Sequence, residues 1–125
     1  MFKSLNKREH GFQIESFAKQ QLQKAGCQVV ETNFQCKMGE IDLIVKDKSN
    51  LVFVEVRYRR SVNFGGAGAS VDFKKQQKLI RAAAYYLQTK NLTNKARGRF
   101  DVFAVHGETD KLSFEWIKDA FDASI

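Results

Sequence analysis

Proline is absent from this sequence, cysteine occurs only twice, and none of the apolar runs among the 125 residues is long. Cys27 and Cys36 are nine positions apart, which matches no zinc-binding spacing, so we interpret both as free thiols. No apolar stretch approaches the ~20 residues that cross a bilayer, and the N-terminus lacks the apolar run of a signal peptide. We therefore expect a cytoplasmic protein with no zinc motif and no membrane partner. The absence of proline has no functional explanation in the sequence.

Histidine is scarce as well, and internal repeats, low-complexity segments and linkers are missing. His10 and His106 are isolated in the sequence, which is more typical of surface or strand-end histidines than of metal ligands or catalytic bases. A chain of 125 residues is long enough to bury one core and too short for two ordinary ones. We therefore predict a single domain over residues 1–125.

Basic residues are in excess over acidic ones. The sequence has 21 Lys and Arg against 14 Asp and Glu, which gives a formal net charge of +7 and a pI near 9.5. A charge of this size favours a polyanionic partner such as nucleic acid. Many basic domains bind no nucleic acid, so the charge alone leaves both interpretations open.

Two carboxylates and a cation lie on two predicted strands that follow each other in the chain. In the first strand, residues 40–46, every second side chain is apolar and all but Ile44 of the others are charged, so Asp42 should point away from the apolar face. That face comprises Ile41, Leu43 and Val45. In the second strand, residues 51–58, Glu55 and Arg57 fall on one face because side chains alternate along a strand.

The polar segment between these strands, with the sequence DKSN, is typical of a turn that closes a hairpin. A hairpin with this turn fixes which residues of the two strands lie opposite each other. The predicted register gives three facing pairs: Lys46 and Leu51, Asp42 and Glu55, and Glu40 and Arg57. The two carboxylates are therefore expected to be neighbours.

The remaining sequence predicts two helices and three further strands. The helices are predicted over about residues 6–25 and 71–89, and the strands over 27–34, 99–106 and 112–119. A helix before the fourth strand predicts a crossover into a strand that runs parallel to one of the first three. We therefore predict an α/β fold with helices packed on a mixed central sheet.

The second predicted helix has an apolar side and a basic side. The apolar side comprises Phe73, Ile80, Ala83, Ala84 and Leu87, and the basic side Lys74, Lys78, Arg81 and Tyr85. The basic side is equally consistent with a surface that contacts nucleic acid and with a solvated helix face.

The glycine-rich segment before this helix is predicted as a loop near a nucleic-acid backbone. A nucleotide-binding loop is disfavoured because the pattern GxxxxGKS or GxxxxGKT is missing. We predict nucleic-acid contacts at six residues of the loop and the helix: Arg59, Arg60, Lys74, Lys75, Lys78 and Arg81.

Facing carboxylates suit a hard divalent cation such as Mg²⁺, which binds oxygen ligands and keeps several waters. A cation at Asp42 and Glu55 would lower the pKa of a bound water and neutralise charge on a phosphodiester in the transition state. The alternative is a cross-strand pair relieved by Arg57 or by water. Glu15, at the border of the apolar stripe of the first helix, is a candidate third ligand, and a glutamate in water is the alternative there.

Four segments of the sequence resemble a single family. They are GEIDLIV from Gly39, LVFVEVRYRRS from Leu51, FGGAGASVDFKKQQKLIRAAAYYL from Phe64 and RFDVFAV from Arg99. Across about residues 10–106, the sequence resembles the YraN family of predicted bacterial endonucleases, which is related to Holliday-junction resolvases within the PD-(D/E)xK superfamily. The resemblance implies a restriction-endonuclease-like core of order αβββαβ and metal-dependent cleavage of phosphodiesters, with Mg²⁺ or Mn²⁺ as cofactor.

The resemblance also implies roles for individual residues. Glu15 matches the glutamate of the family's first helix, Asp42 its motif aspartate, and Glu55 the glutamate of its Glu-x-Lys motif, so all three are implied metal ligands. The implied catalytic set is Asp42, Glu55 and Arg57. Arg57 stands where the superfamily has lysine, and a protonated arginine can clamp a phosphate but cannot act as a general base. The candidates for a substitute lysine are Lys74, Lys75 and Lys78.

The sequence thus leaves three functions open. The first is a magnesium- or manganese-dependent endonuclease that acts on DNA, with branched DNA as a candidate substrate. The second is a cleavage-deficient nucleic-acid-binding protein with a nuclease fold. The third is a basic interaction module whose carboxylates pair with arginines. A homodimer is an oligomeric state to test, since junction resolvases commonly act as dimers.

Overall fold

The computed structural model describes residues 7–60, 71–108 and 110–122, which form two helices and five strands. In chain order the elements are α1 (Lys7–Lys24), β1 (Gln28–Cys36), β2 (Gly39–Asp47), β3 (Asn50–Arg59), α2 (Phe73–Thr89), β4 (Arg97–Glu108) and β5 (Lys111–Ile117). The order through β4 is the expected αβββαβ, and β5 is added after it. The predicted α/β class is therefore confirmed, and the predicted ranges agree with the observed ones to within about two residues at each end.

The α1 helix packs through apolar residues that recur every four positions. Ile14, Ala18 and Leu22 are buried, with exposures of 4% or less. The helix is followed by Gly26, whose φ of 99° is a left-handed conformation that glycine adopts without strain. The N–H of Cys27 then donates to the carbonyl oxygen of Leu22, one of the terminal groups that lack a partner within the helix. The chain therefore turns directly into β1.

The α2 helix begins after Asp72, whose carboxylate accepts a hydrogen bond from the N–H of Lys75 at 2.8 Å. Its buried residues are Leu79, Ile80, Ala82, Ala83 and Tyr86. The predicted apolar side is wrong at Phe73 and Ala84, which are both exposed. The physical reason is that the face packed on the sheet is rotated from the predicted one and includes Tyr86.

The five strands form one sheet in the order β1-β2-β3-β4-β5. Strands β1, β2 and β3 form an antiparallel meander, β3 and β4 are parallel, and β4 and β5 are antiparallel. The parallel pair requires a crossover, and α2 lies in that crossover. The predicted mixed sheet is confirmed.

Apolar side chains cover both faces of the sheet. One face packs on α1 through residues such as Leu43 and Val45, and the other packs on α2 through residues such as Ile41 and Ile44. The prediction that Ile41, Leu43 and Val45 share one face is therefore wrong. The alternation of side chains between the two faces of the sheet is broken in β2 between Ile41 and Leu43. Because both faces of the sheet are buried, apolar residues are expected on either face, and the sequence pattern does not reveal the break.

The predicted register of β2 and β3 holds along most of the hairpin. Lys46 faces Leu51, and the pairing extends to Leu43 and Val54. Beyond that point β2 stays paired with β1, as far as Gly39 opposite Cys36, while β3 continues along β4. The two central strands separate there, and a gap opens between them at the level of the two carboxylates.

The predicted pairing of Glu40 with Arg57 is wrong, because the hairpin ladder ends before it reaches them. Glu40 instead lies opposite Gln35 of β1, and the Gln35 amide donates to its carboxylate at 2.8 Å. Arg57 lies opposite Ala104 of β4. Glu40 therefore keeps its partner on β1 and Arg57 its partner on β4, and the ladder between β2 and β3 does not join them.

The chain after β5 returns to the sheet. The N–H of Ala120 donates to the carbonyl oxygen of Phe100 at 2.7 Å, and the ring of Phe121 stacks on that of Phe100. The C-terminal segment therefore covers the end of the α2 side of the core. Within the described residues, no helix is long and apolar enough to span a bilayer.

Candidate functional site

Asp42 lies at the point where β2 and β3 separate. Its Oδ2 atom accepts a hydrogen bond from the backbone N–H of Val56 at 2.8 Å. In a continued antiparallel ladder a backbone carbonyl of β2 would take this N–H. The Asp42 carboxylate takes the place of that carbonyl as the acceptor. The same side chain therefore satisfies a backbone donor of β3 and lies at the candidate site.

Glu55 is the neighbouring residue of β3 and is 8% exposed. Its carboxyl group is close enough to that of Asp42 for the two to share a hydrogen bond. The sequence placed these residues opposite each other, and the structure brings their carboxyl groups together at the gap between the strands.

Burial makes both carboxyl groups hard to ionise, and the charge of Asp42 adds to this effect at Glu55. Burial, followed by the charge of Asp42, raises the pKa of Glu55 from its ordinary 4.5 to about 7. Burial also raises the pKa of Asp42, against the opposing effect of the hydrogen bond from Val56. Two adjacent carboxyl groups whose pKa values are both raised are typical of a site that takes a proton or a cation between them.

A lysine from α2 reaches this pair. The Nζ atom of Lys75 is 3.7 Å from Oε2 of Glu55, and its charge opposes the rise in the pKa of Glu55. Among the three lysines that the sequence left open, Lys75 is the one that contacts the site, while Lys74 and Lys78 are exposed. The Asp72 cap holds the first turn of α2, and with it the backbone of Lys75.

Arg57 is half-buried on β3, two residues after Glu55. Its charge lowers the pKa of Glu55, although less than that of Lys75 does. The structure therefore supplies two cations to the same carboxylate, one from the strand position that the sequence indicated and one from the helix.

Glu15 of α1 lies on the other side of Asp42. Both residues line a cavity of about 310 Å³ together with His10, Gly11, Ile14, Val56 and Tyr58. Burial, followed by the charge of Asp42, raises the pKa of Glu15. The structure thus brings all three predicted metal ligands into one region, where Glu15 borders the cavity and Asp42 links it to Glu55.

The sequence interpretation missed His10 as a site residue. Its ring lines the cavity and packs edge-on against Tyr58, with ring centroids 4.6 Å apart. The signal was present in the spacing, because His10 precedes the buried Ile14 by four positions and so shares its side of the helix. His10 belongs to no histidine cluster in the sequence, but it lies one helical turn before Ile14 on the same side of α1.

The three acidic side chains do not form a closed ligand cage. Within residues 7–60, 71–108 and 110–122, no group of three or more histidine, cysteine, aspartate or glutamate side chains is arranged to hold a metal ion. Asp42 and Glu55 are the two acidic residues whose carboxyl groups are direct neighbours.

The residues predicted to contact nucleic acid divide into two groups. Lys74, Lys78 and Arg81 are exposed along one side of α2. Arg59 and Arg60 are exposed at the end of β3, where Nε of Arg60 is 2.9 Å from a carboxylate oxygen of Glu108. The glycine-rich loop over residues 61–70 lies outside the described residues.

Comparison with known proteins finds relatives along most of the chain. Residues 14–105 match the model of the "Uncharacterised protein family UPF0102". A UPF0102 protein of Pseudomonas syringae pv. syringae is 46% identical over 118 residues, covering 94% of this chain and 96% of that protein. A UPF0102 protein of Photobacterium profundum is 47% identical over 113 residues, covering 90% and 89%. One from Legionella pneumophila subsp. pneumophila is 43% identical over 115 residues, covering 92% and 96%.

A solved structure with some similarity is "The structure of Pyrococcus Furiosus SfsA in complex with Ca2+". The TM-score is 0.42 and the sequence identity 12%. The match covers 90% of this chain and 64% of that one, so this chain spans less than two thirds of its length.

Proposed function

The chain belongs to the uncharacterised protein family UPF0102, and we propose that it is a divalent-metal-dependent endonuclease that hydrolyses DNA phosphodiesters. The observation that carries the proposal is the half-buried carboxyl group of Asp42 next to the buried carboxyl group of Glu55, with Lys75 beside them. Placing two acidic groups together away from water is unfavourable for folding. A bound cation would offset this cost by neutralising their charge.

The donor set fits Mg²⁺ or Mn²⁺. Both central ligands are carboxylates, and magnesium in phosphoryl-transfer sites is bound by one or two carboxylates while waters and substrate oxygens complete its shell. Asp42 and Glu55 would therefore hold the ion, and Glu15, at the rim of the same cavity, is the proposed third ligand. When bound, the ion would supply a water of lowered pKa and neutralise charge on the phosphodiester.

Lys75 and Arg57 have different proposed roles because their side chains differ. The ammonium group of Lys75 is a compact charge near Glu55, suited to orient the attacking water or to stabilise charge that develops on a phosphate oxygen. The guanidinium group of Arg57 remains protonated and presents several donors, so it is suited to hold the phosphate. In this proposal Lys75 takes the place of the lysine that the Glu-x-Lys motif lacks.

The test is a cleavage assay on junction, flap and linear DNA with Mg²⁺ or Mn²⁺. We expect cleavage by the wild type, none in EDTA, and a rate lowered by about 100-fold or more in Asp42→Asn. Asparagine can still accept the hydrogen bond from Val56, so this variant should keep the fold. Glu115→Gln, an exposed carboxylate on β5, is the matched control and should cut like the wild type. Equal metal binding by wild type and Asp42→Asn in calorimetry would refute the metal site.

A cleavage-deficient nucleic-acid-binding protein is the second candidate. The observations that favour it are Arg57 at the motif lysine position and the missing three-ligand group among the described residues. In that case the wild type binds DNA but cuts none of the three substrates. Cleavage gained by Arg57→Lys would then identify the arginine as the cause.

A further inference from the structure

The first turns of α2 bridge the gap between β2 and β3 with a lysine on each side. Lys75 reaches β3, where its Nζ atom is 3.7 Å from Oε2 of Glu55. Lys78 contacts β2 through its backbone, because a Cβ atom at Gly39 would lie 3.6 Å from both the Cβ and the carbonyl oxygen of Lys78. Residues three positions apart are neighbours on a helix. Two adjacent lysines therefore connect the carboxylate of Glu55 with the start of β2.

The turn between β1 and β2 adds a third lysine next to this contact. Cys36 pairs with Gly39, so the turn consists of Lys37 and Met38. Lys37 is exposed and lies two residues before the glycine that packs on Lys78. The β1–β2 turn therefore extends the basic surface of α2 beyond the helix itself.

A second contact shows that the basic side of α2 follows β1, an edge strand of the sheet. The ring of Tyr85 lies 6.3 Å from the ring of Phe34 on β1. Tyr85 is seven residues, or about two turns, after Lys78, so both residues share one side of the helix. The helix is thus fixed against the β1–β2 hairpin at two points, and its basic side is continuous with the turn.

The charges of Lys37 and Lys78 are not neutralised by the protein. Both side chains are exposed, and within residues 7–60, 71–108 and 110–122 neither ammonium group lies within 4 Å of a carboxylate. The acidic residue that follows the turn, Glu40, accepts a hydrogen bond from the amide of Gln35 at 2.8 Å. Both ammonium groups are therefore available to an anionic ligand that approaches the carboxylate site from the α2 side.

The chemistry of these groups indicates which ligand they bind. A nucleic acid carries one negative charge per nucleotide, and lysines bind its phosphates as point charges without reading the bases. We propose that the β1–β2 turn is a phosphate-binding site, where Lys37 and Lys78 hold the nucleic-acid backbone beside the carboxylate pair. Lys37 is not among the six residues that the sequence predicts to contact nucleic acid. The inference rests on the proposed function and adds a binding site to it.

The other hairpin of the meander supplies a matched control. Asp47 pairs with Asn50, so Lys48 is the first residue of a two-residue turn, as Lys37 is, and it is also exposed. The nine residues of β2 separate the two turns by about 26 Å. At physiological salt the Debye length is about 8 Å, so a phosphate at one turn is screened from a charge at the other. Lys37→Gln and Lys48→Gln therefore remove the same charge from the same kind of turn at opposite ends of β2.

DNA binding is measured by fluorescence anisotropy with labelled junction, flap and linear DNA, in KCl and EDTA so that cleavage does not interfere. We expect Lys37→Gln to weaken binding by about 3- to 10-fold near 0.15 M salt. The slope of log K against log salt should fall by about 0.7 to 0.9, the value for one phosphate contact. Lys37→Arg keeps the charge and should keep the slope, and Lys48→Gln should bind like the wild type.

A neutral methylphosphonate, introduced at one position of the DNA at a time, distinguishes a direct contact from a general effect of charge. At the phosphate that Lys37 contacts, the neutral group should weaken binding of the wild type. The same DNA should bind Lys37→Gln no more weakly than unmodified DNA does, because the interaction is already lost. At other positions the two losses should add.

Three outcomes would overturn the inference: an unchanged slope in Lys37→Gln, equal slope losses in Lys37→Gln and Lys48→Gln, or additive losses at every methylphosphonate position. A wild type that shows the expected losses but cuts none of the DNAs would support the phosphate site and refute the proposed nuclease. A wild type that binds none of the DNAs would refute both. The failure of the inference is therefore distinguishable from that of the proposed function.

Discussion

The carboxyl group of Glu55 has to meet two opposing requirements: burial in the folded chain favours its protonated form, and the proposed metal binding needs its ionised form. It is almost fully buried, and its pKa of about 7 means that it is half-protonated near neutral pH. Metal binding requires the ionised form, so a metal ion and a proton compete for the same group. Lys75 and Arg57 shift this competition towards the ionised form.

We expect the stability of the metal-free protein to fall as the pH rises from about 4.5 to about 7. In this range the folded chain keeps a proton on Glu55 that the unfolded chain has already lost, so raising the pH favours unfolding, by up to about 3 kcal/mol. Urea unfolding in EDTA at pH 5 and pH 8 measures the difference. Asp42→Asn removes one source of the raised pKa and should show a smaller pH dependence. The same dependence in both proteins would contradict an influence of the Asp42 charge on the pKa of Glu55.

Lys75 should matter for the pH profile as well as for the rate. Replacing it by methionine removes a charge that lowers the pKa of Glu55, so the rise of activity with pH should move to higher pH. We also expect cleavage to slow by about 100-fold or more. Lys74→Met, which removes the adjacent exposed lysine, is the control and should leave the pH profile unchanged. A pH profile of Lys75→Met identical to that of the wild type would show that the ammonium group does not influence the ionisation of Glu55.

Among the secondary-structure elements, the start of α2 links stability to the site. Asp72 accepts the backbone N–H of Lys75, so the residue that caps the helix also fixes the backbone of the lysine near Glu55. The carboxylate also lies at the positive end of the helix dipole. The orientation of Lys75 therefore depends on a local interaction three residues earlier in the chain.

Asp72→Ala should cost about 1 kcal/mol of stability, as the loss of an N-cap usually does. We expect cleavage to fall by more than this modest destabilisation explains, because the first turn that carries Lys75 loosens. Asp72→Ser retains a capping oxygen and should restore both properties. Chemical unfolding and cleavage at saturating substrate provide the two measurements. A wild-type cleavage rate in Asp72→Ala would show that the helix cap has no influence on the position of Lys75.

At the scale of the whole molecule, a buried polar network joins the last strands and the C-terminal segment to the core. Asp101 of β4 is fully buried and accepts hydrogen bonds from Arg99, from the indole N–H of Trp116 and from the backbone of Asp119, all at 2.8–2.9 Å. Arg99 also bonds Asp47 at 3.0 Å, which ties β4 to the hairpin turn. Burial is tolerated here because every contact is charge-assisted or well aligned.

Asp101→Ala should destabilise the protein by about 3–5 kcal/mol, since it removes one of the two carboxylates that pair with Arg99 and leaves the donors of Trp116 and Asp119 without a partner. The fluorescence of Trp116, the single tryptophan, should report a loosened β5. Glu115→Ala, at an exposed position of the same strand, should change stability by less than about 0.5 kcal/mol. A loss below about 1 kcal/mol in Asp101→Ala would show that the network contributes little.

The net charge of +7 should make DNA binding strongly dependent on salt. If Lys78 and Arg81 each contact a phosphate, replacing either by alanine should reduce the slope of log K against log salt by about 0.7 to 0.9. Lys46→Ala, an exposed lysine on β2, is the control and should leave the slope unchanged. Anisotropy titrations from about 50 to about 200 mM salt measure the effect.

The sequence by itself determined the element order, the hairpin register and the two central carboxylates. These depend on local patterns: a polar turn fixes which residues face each other, and Lys46 indeed lies opposite Leu51. From that register the proximity of Asp42 and Glu55 follows by counting along two strands. The exposed basic side of α2 was also predicted from a local pattern, because helical spacing alone assigns its residues to one side of the helix.

Only the tertiary structure decided which residues complete the site. The ladder between β2 and β3 ended at Leu43 and Val54, and the packing of the helices on the two faces brought His10 towards Asp42 and Lys75 to Glu55. These contacts join residues from different elements, so no periodicity in the sequence encodes them. The sequence could identify three lysines of α2 as candidates, but only the rotation of the packed helix selects the one that reaches the carboxylates.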